Sequence, residues 1–136
     1  MQFNIEQINN DWTLFIDRDG VINHEKKDDY IKTVEEFKFY DGVLAALAML
    51  SGFFKTIVLV TNQKGVGRGL MTEADLAAIH AFMLAEIQQA GGRIDAIFYC
   101  TDTAAESPNR KPNPGMAFQA KQQFPHINFQ QSVMVG

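Results

Sequence analysis

The sequence predicts an α/β domain in which helices sandwich a parallel sheet. Four short apolar runs read as buried strands: "WTLFI" (12–16), "KTIVLVTN" (55–62), "IDAIFYC" (94–100) and "QSVMVG" (131–136). Helical patterns lie between them, and strand–helix alternation is what right-handed crossovers between parallel strands produce. Polar residues close the runs, at Asp17-Arg18-Asp19-Gly20, Thr61-Asn62-Gln63 and Cys100-Thr101. Open α/β sheets bind ligands outside the carboxyl ends of their strands, so these residues mark the working edge.

Each element follows from local chemistry. After the first strand, Gly20 allows a sharp bend. The segment "HEKKDDYIKTVEEFKFY" (24–40) is too long and too charged for an ordinary βα connection and is expected to cover a site. A helix over 41–52 starts at a possible Asp41 cap, puts Val43, Leu47 and Leu50 on one face, and ends at Gly52. A longer helix over 71–92 opens with a Thr72/Asp75 capping box, carries Leu76, Ile79, Met83 and Ile87 at helical spacing, and stops at Gly91. In 113–124, Asn113 can cap and Pro114 can take the first helical position. The glycines in "GVGRGL" suggest a dinucleotide loop, but that fingerprint needs glycine where Leu70 stands.

The 136 residues suffice for one modest domain, read as spanning 1–136, and 46% hydrophobic with 21% charged residues is an ordinary globular balance. A net charge of −4 argues against a general nucleic-acid binder. Seven of the twelve basic residues (Arg18, Lys26, Lys27, Lys64, Arg68, Arg110, Lys111) fall in segments read as loops, which suits a small anionic ligand. The single cysteine, Cys100, excludes an internal disulfide and fits a reducing compartment. "MQFNIEQINNDW" has no secretory signal pattern, and the longest apolar stretch, "VLAALAML", is far short of the roughly 20 residues that span a bilayer. The expectation is a cytoplasmic protein with no membrane partner.

Asp17 and Asp19 are separated by one residue, and alternation along extended backbone lets them point to one side. Two such carboxylates ionise together only at a cost, which suits one as nucleophile and the other as proton donor. A carboxylate attacking a phosphate ester meets anion repulsion, so the reaction needs cations. An oxygen-bound magnesium ion is one, and the Lys111 ammonium is another. The Thr61 hydroxyl and nearby backbone N–H groups can hold phosphoryl oxygens.

These residues are similar to the motifs of the haloacid dehalogenase superfamily. Its first motif resembles "FIDRDGVIN", its second "VLVTNQ" and its third "RKPNPGM". "TNQKGVGRG" and "YIKTVEEFKFYDGV" resemble the branch that holds the heptose 1,7-bisphosphate and histidinol-phosphate phosphatases. The resemblance covers about Trp12 to Gly136. It implies a Rossmann-like fold and a magnesium-dependent hydrolysis of a small phosphorylated metabolite, leaning toward a heptose-type sugar bisphosphate. Asp17 would attack phosphorus, Asp19 would protonate the leaving alcohol and then activate water, and Thr61 and Lys111 would steady the phosphoryl group. Magnesium would sit on the Asp17 carboxylate, the Asp19 carbonyl and a further acidic residue. Asn62, Gln63, Arg68 and Arg110 become candidates for substrate contact. A receiver-like phosphate-binding module, which shares the layout, remains the alternative from another class.

Two departures qualify the resemblance. Many members of the branch hold zinc through a Cys-x-His and a later Cys-x-Cys. Here the corresponding residues are Cys100 and Asp102, then Ser107 and Asn109, and His24, His80 and His126 fall in unrelated segments. One ligand cannot build a four-ligand site, so no structural zinc is expected and the loop must be ordered otherwise. The sequence also stops at "SVMVG", before the acidic motif that completes the family's magnesium site. A C-terminally incomplete domain, cut from a longer product, is the expectation.

Overall fold

A computed structural model describes residues 7–136. The start of the N-terminal segment read above for a secretory signal, through residue 6, lies outside the described residues. The four predicted strands are present as β1 (Thr13–Ile16), β2 (Thr56–Asn62), β3 (Ala96–Cys100) and β4 (Ser132–Val135). They form one sheet in the order β3-β2-β1-β4 with every pairing parallel. Leu14 pairs with Ile57 on one side and Val133 on the other, so the Asp-x-Asp stretch emerges at the middle of the edge.

The helices are α1 (Val43–Ser51), α2 (Lys64–Gly67), α3 (Glu73–Gln89) and α4 (Gly115–Gln123). Period-two alternation divides the core into two. Leu14, Ile16, Ile57 and Leu59 pack with Leu47 of α1 and with Leu76, Ile79, Met83 and Ile87 of α3. Phe15, Val58 and Val60 face Met116 and Ala120 of α4, together with Ile127. Each fully buried aliphatic side chain contributes about 1.5–3 kcal/mol by transfer. Met83→Ala, at a position with no exposure, is expected to cost about 2–5 kcal/mol.

The helix α3 keeps its predicted start: Thr72 Oγ1 accepts from Asp75 N and the Asp75 carboxylate accepts from Thr72 N. Two other starts differ from expectation. The cap of α1 is Gly42, at φ +83°, with no side-chain cap bond, so Asp41 does not cap. Asn113 does not cap α4, because its amide donates to the Ala105 and Ser107 carbonyls across the preceding loop. Pro114 is the cap residue there rather than the first helical one.

The short helix α2 was not apparent from the pattern. It accounts for part of "GVGRGL": a Cβ on Gly67 would collide with the Thr101 carbonyl at the end of β3. Segment 24–40 folds against the body rather than standing free. Its ends are tied by His24 N to Lys38 O at 2.9 Å and Tyr40 N to Ile22 O at 3.1 Å. Phe37 and Phe39 contact each other and Phe82 of α3. Four of its charges pair within the segment, Lys26 with Glu36 and Lys32 with Asp29. No helix among the described residues is long and apolar enough to cross a membrane.

Candidate active site

The backbone of β1 continues its pairing past Ile16, with Asp17 N donating to Val135 O at 2.9 Å. This carries Asp17 to the carboxyl edge of the sheet. Its Oδ1 accepts from Arg18 N at 2.8 Å and forms an ion pair with Lys111 Nζ, also at 2.8 Å. The cation expected from "RKPNPGM" therefore reaches the expected carboxylate, although 94 positions separate the two in sequence. The Lys111–Pro112 peptide bond is cis.

Asp19 is held from behind by three donors. Arg18 Nη2 reaches its Oδ1 at 2.8 Å, Asn23 Nδ2 the same oxygen at 3.0 Å, and Gln63 Nε2 its Oδ2 at 3.0 Å. The turn that presents it is wound on Arg18, whose carbonyl accepts from Val21 N, Ile22 N and Asn23 N. Arg18 is fully buried and ion-paired to Asp19, and it is no loop cation free for a ligand. Its Nη1 lies 3.1 Å from His80 Nε2, and its guanidinium carbon is 5.7 Å from the Phe37 ring centre. Burial first, and then the neighbouring Arg18 charge, push the His80 pKa down to about 4, with Asp19 acting in the opposite direction.

The other predicted residues divide. Asn62 forms two hydrogen bonds with the Lys111 backbone, Lys111 N to its Oδ1 at 3.0 Å and its Nδ2 to Lys111 O at 3.1 Å. Thr61 is buried, and its Oγ1 accepts from Gln63 Nε2 at 2.9 Å. Gln63 is only 2% exposed. Gln63 thus bridges Thr61 Oγ1 and Asp19 Oδ2, which sets both side chains behind the Asp-x-Asp turn. Arg110 Nη1 donates to Thr103 O at 3.1 Å and so braces the 101–110 loop. Arg68 is exposed, with Nη1 3.2 Å from the Tyr30 hydroxyl of the inserted segment. Arg18, Asn23 and His80 are site residues that the sequence reading missed.

Two clefts meet at this edge. One, of about 750 Å³, is lined by Asp17, Asn62, Lys111, Pro112, Met134 and Gly136, among others. The other, of about 200 Å³, is lined by Asp19, Glu25, Lys26, Tyr30, Gln63 and Lys64, among others. Asn62 borders both. Thr61 lines neither.

The oxygens left over suit a hard cation. Among the described residues no hydrogen bond is made to Asp17 Oδ2 or to the Asp19 main-chain carbonyl. Magnesium typically takes one or two carboxylates and fills the rest of its shell with water and substrate oxygens. The donor set fits it. A zinc cage does not fit: among the described residues no three His, Cys, Asp or Glu side chains gather to hold a metal. In the 101–113 loop, Ser107 Oγ donates to Asp102 Oδ2 at 2.5 Å, and the Asn113 and Arg110 contacts complete the bracing.

A parallel sheet covered on both faces, an Asp-x-Asp pair ending its central strand and a lysine delivered from just before α4 together define the haloacid dehalogenase class. Residues 9–136 match the family described as "Polynucleotide kinase 3 phosphatase", and the chain belongs to that family. It is 42% identical over 104 residues to the D-glycero-beta-D-manno-heptose-1,7-bisphosphate 7-phosphatase of Neisseria meningitidis serogroup A, covering 76% of this chain and 55% of the relative. It is 35% identical over 132 residues to the D-glycero-alpha-D-manno-heptose-1,7-bisphosphate 7-phosphatase of Mycobacterium bovis, covering 96% and 70%. Among solved structures, it is similar to the D,D-heptose 1,7-bisphosphate phosphatase of B. bronchiseptica complexed with magnesium and phosphate. There the TM-score is 0.76 at 37% identity, over 84% of this chain and 64% of that one. The chain thus spans between about half and 70% of these relatives' lengths.

Proposed function

We propose that the protein is a magnesium-dependent phosphomonoester hydrolase of small phosphorylated metabolites, with a heptose 1,7-bisphosphate type of sugar as its substrate. The observation that carries this reading is the Asp17–Lys111 ion pair beside the fixed carboxylate of Asp19. The names of the relatives support the substrate class. The net charge of −4 and the small cleft beside Asp19 favour a metabolite over a polynucleotide. The buried free thiol of Cys100 suits the cytoplasm.

Asp17 is the nucleophile. Its carboxylate attacks phosphorus and forms an acyl phosphate as the ester oxygen departs. Asp19 protonates that leaving oxygen, then takes a proton from the water that hydrolyses the acyl phosphate. Lys111 relieves the repulsion between carboxylate and phosphate and stabilises the charge that builds on the phosphoryl oxygens. Asp17 Oδ2 and the Asp19 carbonyl would hold magnesium, which supplies further charge neutralisation. Asn62 fixes Lys111, Gln63 backs Asp19 from beside the Thr61 hydroxyl, which with Lys111 would steady the phosphoryl group, and Arg68 stands with Tyr30 as a candidate for substrate contact at the outer rim.

The test, run on the protein as it occurs in the cell, is phosphate release from heptose 1,7-bisphosphate, histidinol phosphate and an aryl phosphate, with and without magnesium. The expected result is the highest kcat/KM on the heptose bisphosphate and loss of turnover in EDTA. Absence of hydrolysis of all three in magnesium would overturn the reading. An acyl phosphate stable for minutes would favour the receiver-like alternative.

A further inference from the structure

We propose that His80 is a positioning residue for Asp19, acting through Arg18, an inference that rests on the phosphatase reading above. Arg18 has no solvent exposure, yet a guanidinium withdrawn from water is tolerated only with paired charge and filled hydrogen bonds. Its Nη2 is taken by Asp19 and its Nη1 by His80, while its face lies toward the Phe37 ring. The Nε finds no partner among the described residues. With one donor already unpaired, the His80 contact is what keeps Nη1 from becoming a second.

Arginine has only donors, so His80 Nε2 must present its lone pair and the ring proton must sit on Nδ1. The ring comes from the third turn of α3, which is seated on the sheet by Leu76, Ile79, Met83 and Ile87. An imidazole on a packed helix is a fixed acceptor, and a planar guanidinium whose Nη1 is fixed has its Nη2 aimed as well. That second nitrogen points at the oxygen of Asp19 opposite the one held by Gln63. The His80–Arg18 link thus carries the rigidity of α3 to the carboxylate that must meet a leaving oxygen within hydrogen-bond reach. A neutral His80 suits this, since a protonated ring would set a donor against a donor.

The experiment compares His80→Leu and His80→Gln on an alkyl phosphate, whose leaving oxygen needs the Asp19 proton, and on p-nitrophenyl phosphate, whose leaving group needs it little. General acid catalysis contributes about 10²–10⁴ in rate, so loosening its aim is expected to lower the alkyl-to-aryl ratio of kcat/KM, which excludes the later water step common to both substrates, about tenfold in His80→Leu. The glutamine amide can supply the acceptor, so His80→Gln is expected to recover most of the ratio. Equal losses on both substrates, or no change in the ratio, would overturn the proposal. A readout independent of activity is nitrogen NMR of the parent chain, where His80 is expected to be the Nδ1–H tautomer. An Nε2–H tautomer would overturn the proposal even if neither variant folds. A parent inactive on both substrates with the expected tautomer would sink the phosphatase reading, and the assigned task of His80 with it, while leaving the His80–Arg18 contact standing.

Discussion

Asn62 holds Lys111 by its backbone: Lys111 N donates to Asn62 Oδ1 and Asn62 Nδ2 donates to Lys111 O, at 3.0 and 3.1 Å. The end of β2 thereby grips the segment that supplies the site's ammonium. A lysine side chain is long and costly to order, so its aim depends on a fixed starting point. The Asp17–Lys111 ion pair uses that fixed point.

Removing the grip should therefore act through the charge. Lys111→Ala is expected to lower kcat by about 10²–10³, on the scale of one lost preorganised oxyanion donor. Asn62→Ala is expected to lose a smaller part of this, about tenfold, and adding its effect to Lys111→Ala should give little further loss, because the two act in series. Steady-state kinetics of the singles and the double check this. Full additivity would mean that Asn62 serves the substrate directly.

The two aspartates should separate by substrate. Asp17→Asn is expected to abolish turnover and any acid-stable labelled phosphoenzyme. Asp19→Asn should slow an alkyl phosphate far more than an aryl phosphate and leave a trappable intermediate with the latter. Quenched labelling with each variant is the measurement, and near-parental activity in Asp17→Asn would remove it as nucleophile.

Regular repetition and strand ends made much of this legible in the sequence. The strands, the capping box of α3 and the convergence of Asp17, Asp19 and Lys111 follow from apolar runs, helical spacing and a short motif. Arg18 did not, because a basic residue between two acids in a turn looks solvated, and only the packing of α3 and Phe37 around it makes it a buried strut. His80 enters the sequence reading only as a histidine in a segment unrelated to the zinc loop, since its partner Arg18 lies 62 positions away. The bridge that Gln63 makes between Thr61 Oγ1 and Asp19 Oδ2 was not legible either, because it depends on how the turn into α2 sets the amide. The starts of α1 and α4 failed for a local reason. Asn113 is a good capping residue, but the adjoining loop claims its amide.

The same loop yields a prediction about metal removal. Its bracing is the Ser107–Asp102 hydrogen bond with the Asn113 and Arg110 contacts to main-chain carbonyls, none of which needs an ion. Treatment with a zinc chelator is expected to leave Tm unchanged, while Ser107→Ala should cost roughly 1 kcal/mol or less, as befits one exposed hydrogen bond. Calorimetry with and without chelator tests both. A chelator-induced fall in Tm would reveal a metal holding the loop.

Acid should unfold the protein partly through His80. The folded chain keeps this side chain neutral down to about 4, whereas the unfolded chain protonates it near the ordinary value of 6.5. As pH falls, the unfolded state therefore takes up the proton first, and stability is lost. The contribution of neutral His80 is fully present above 6.5, declines between 6.5 and 4, and is exhausted below that. By linkage the loss between pH 6.5 and 5 is about 2 kcal/mol, and His80 is buried enough that solvent screening removes little of it. Urea unfolding of the parent and of His80→Gln at pH 7, 6 and 5 isolates this part, because groups common to both chains cancel in the difference. The variant is expected to show the flatter acid limb, so its stability relative to the parent should rise as pH falls. Parallel curves over this range would mean that His80 has the same proton affinity folded and unfolded, and that the Arg18 contact does not persist in solution.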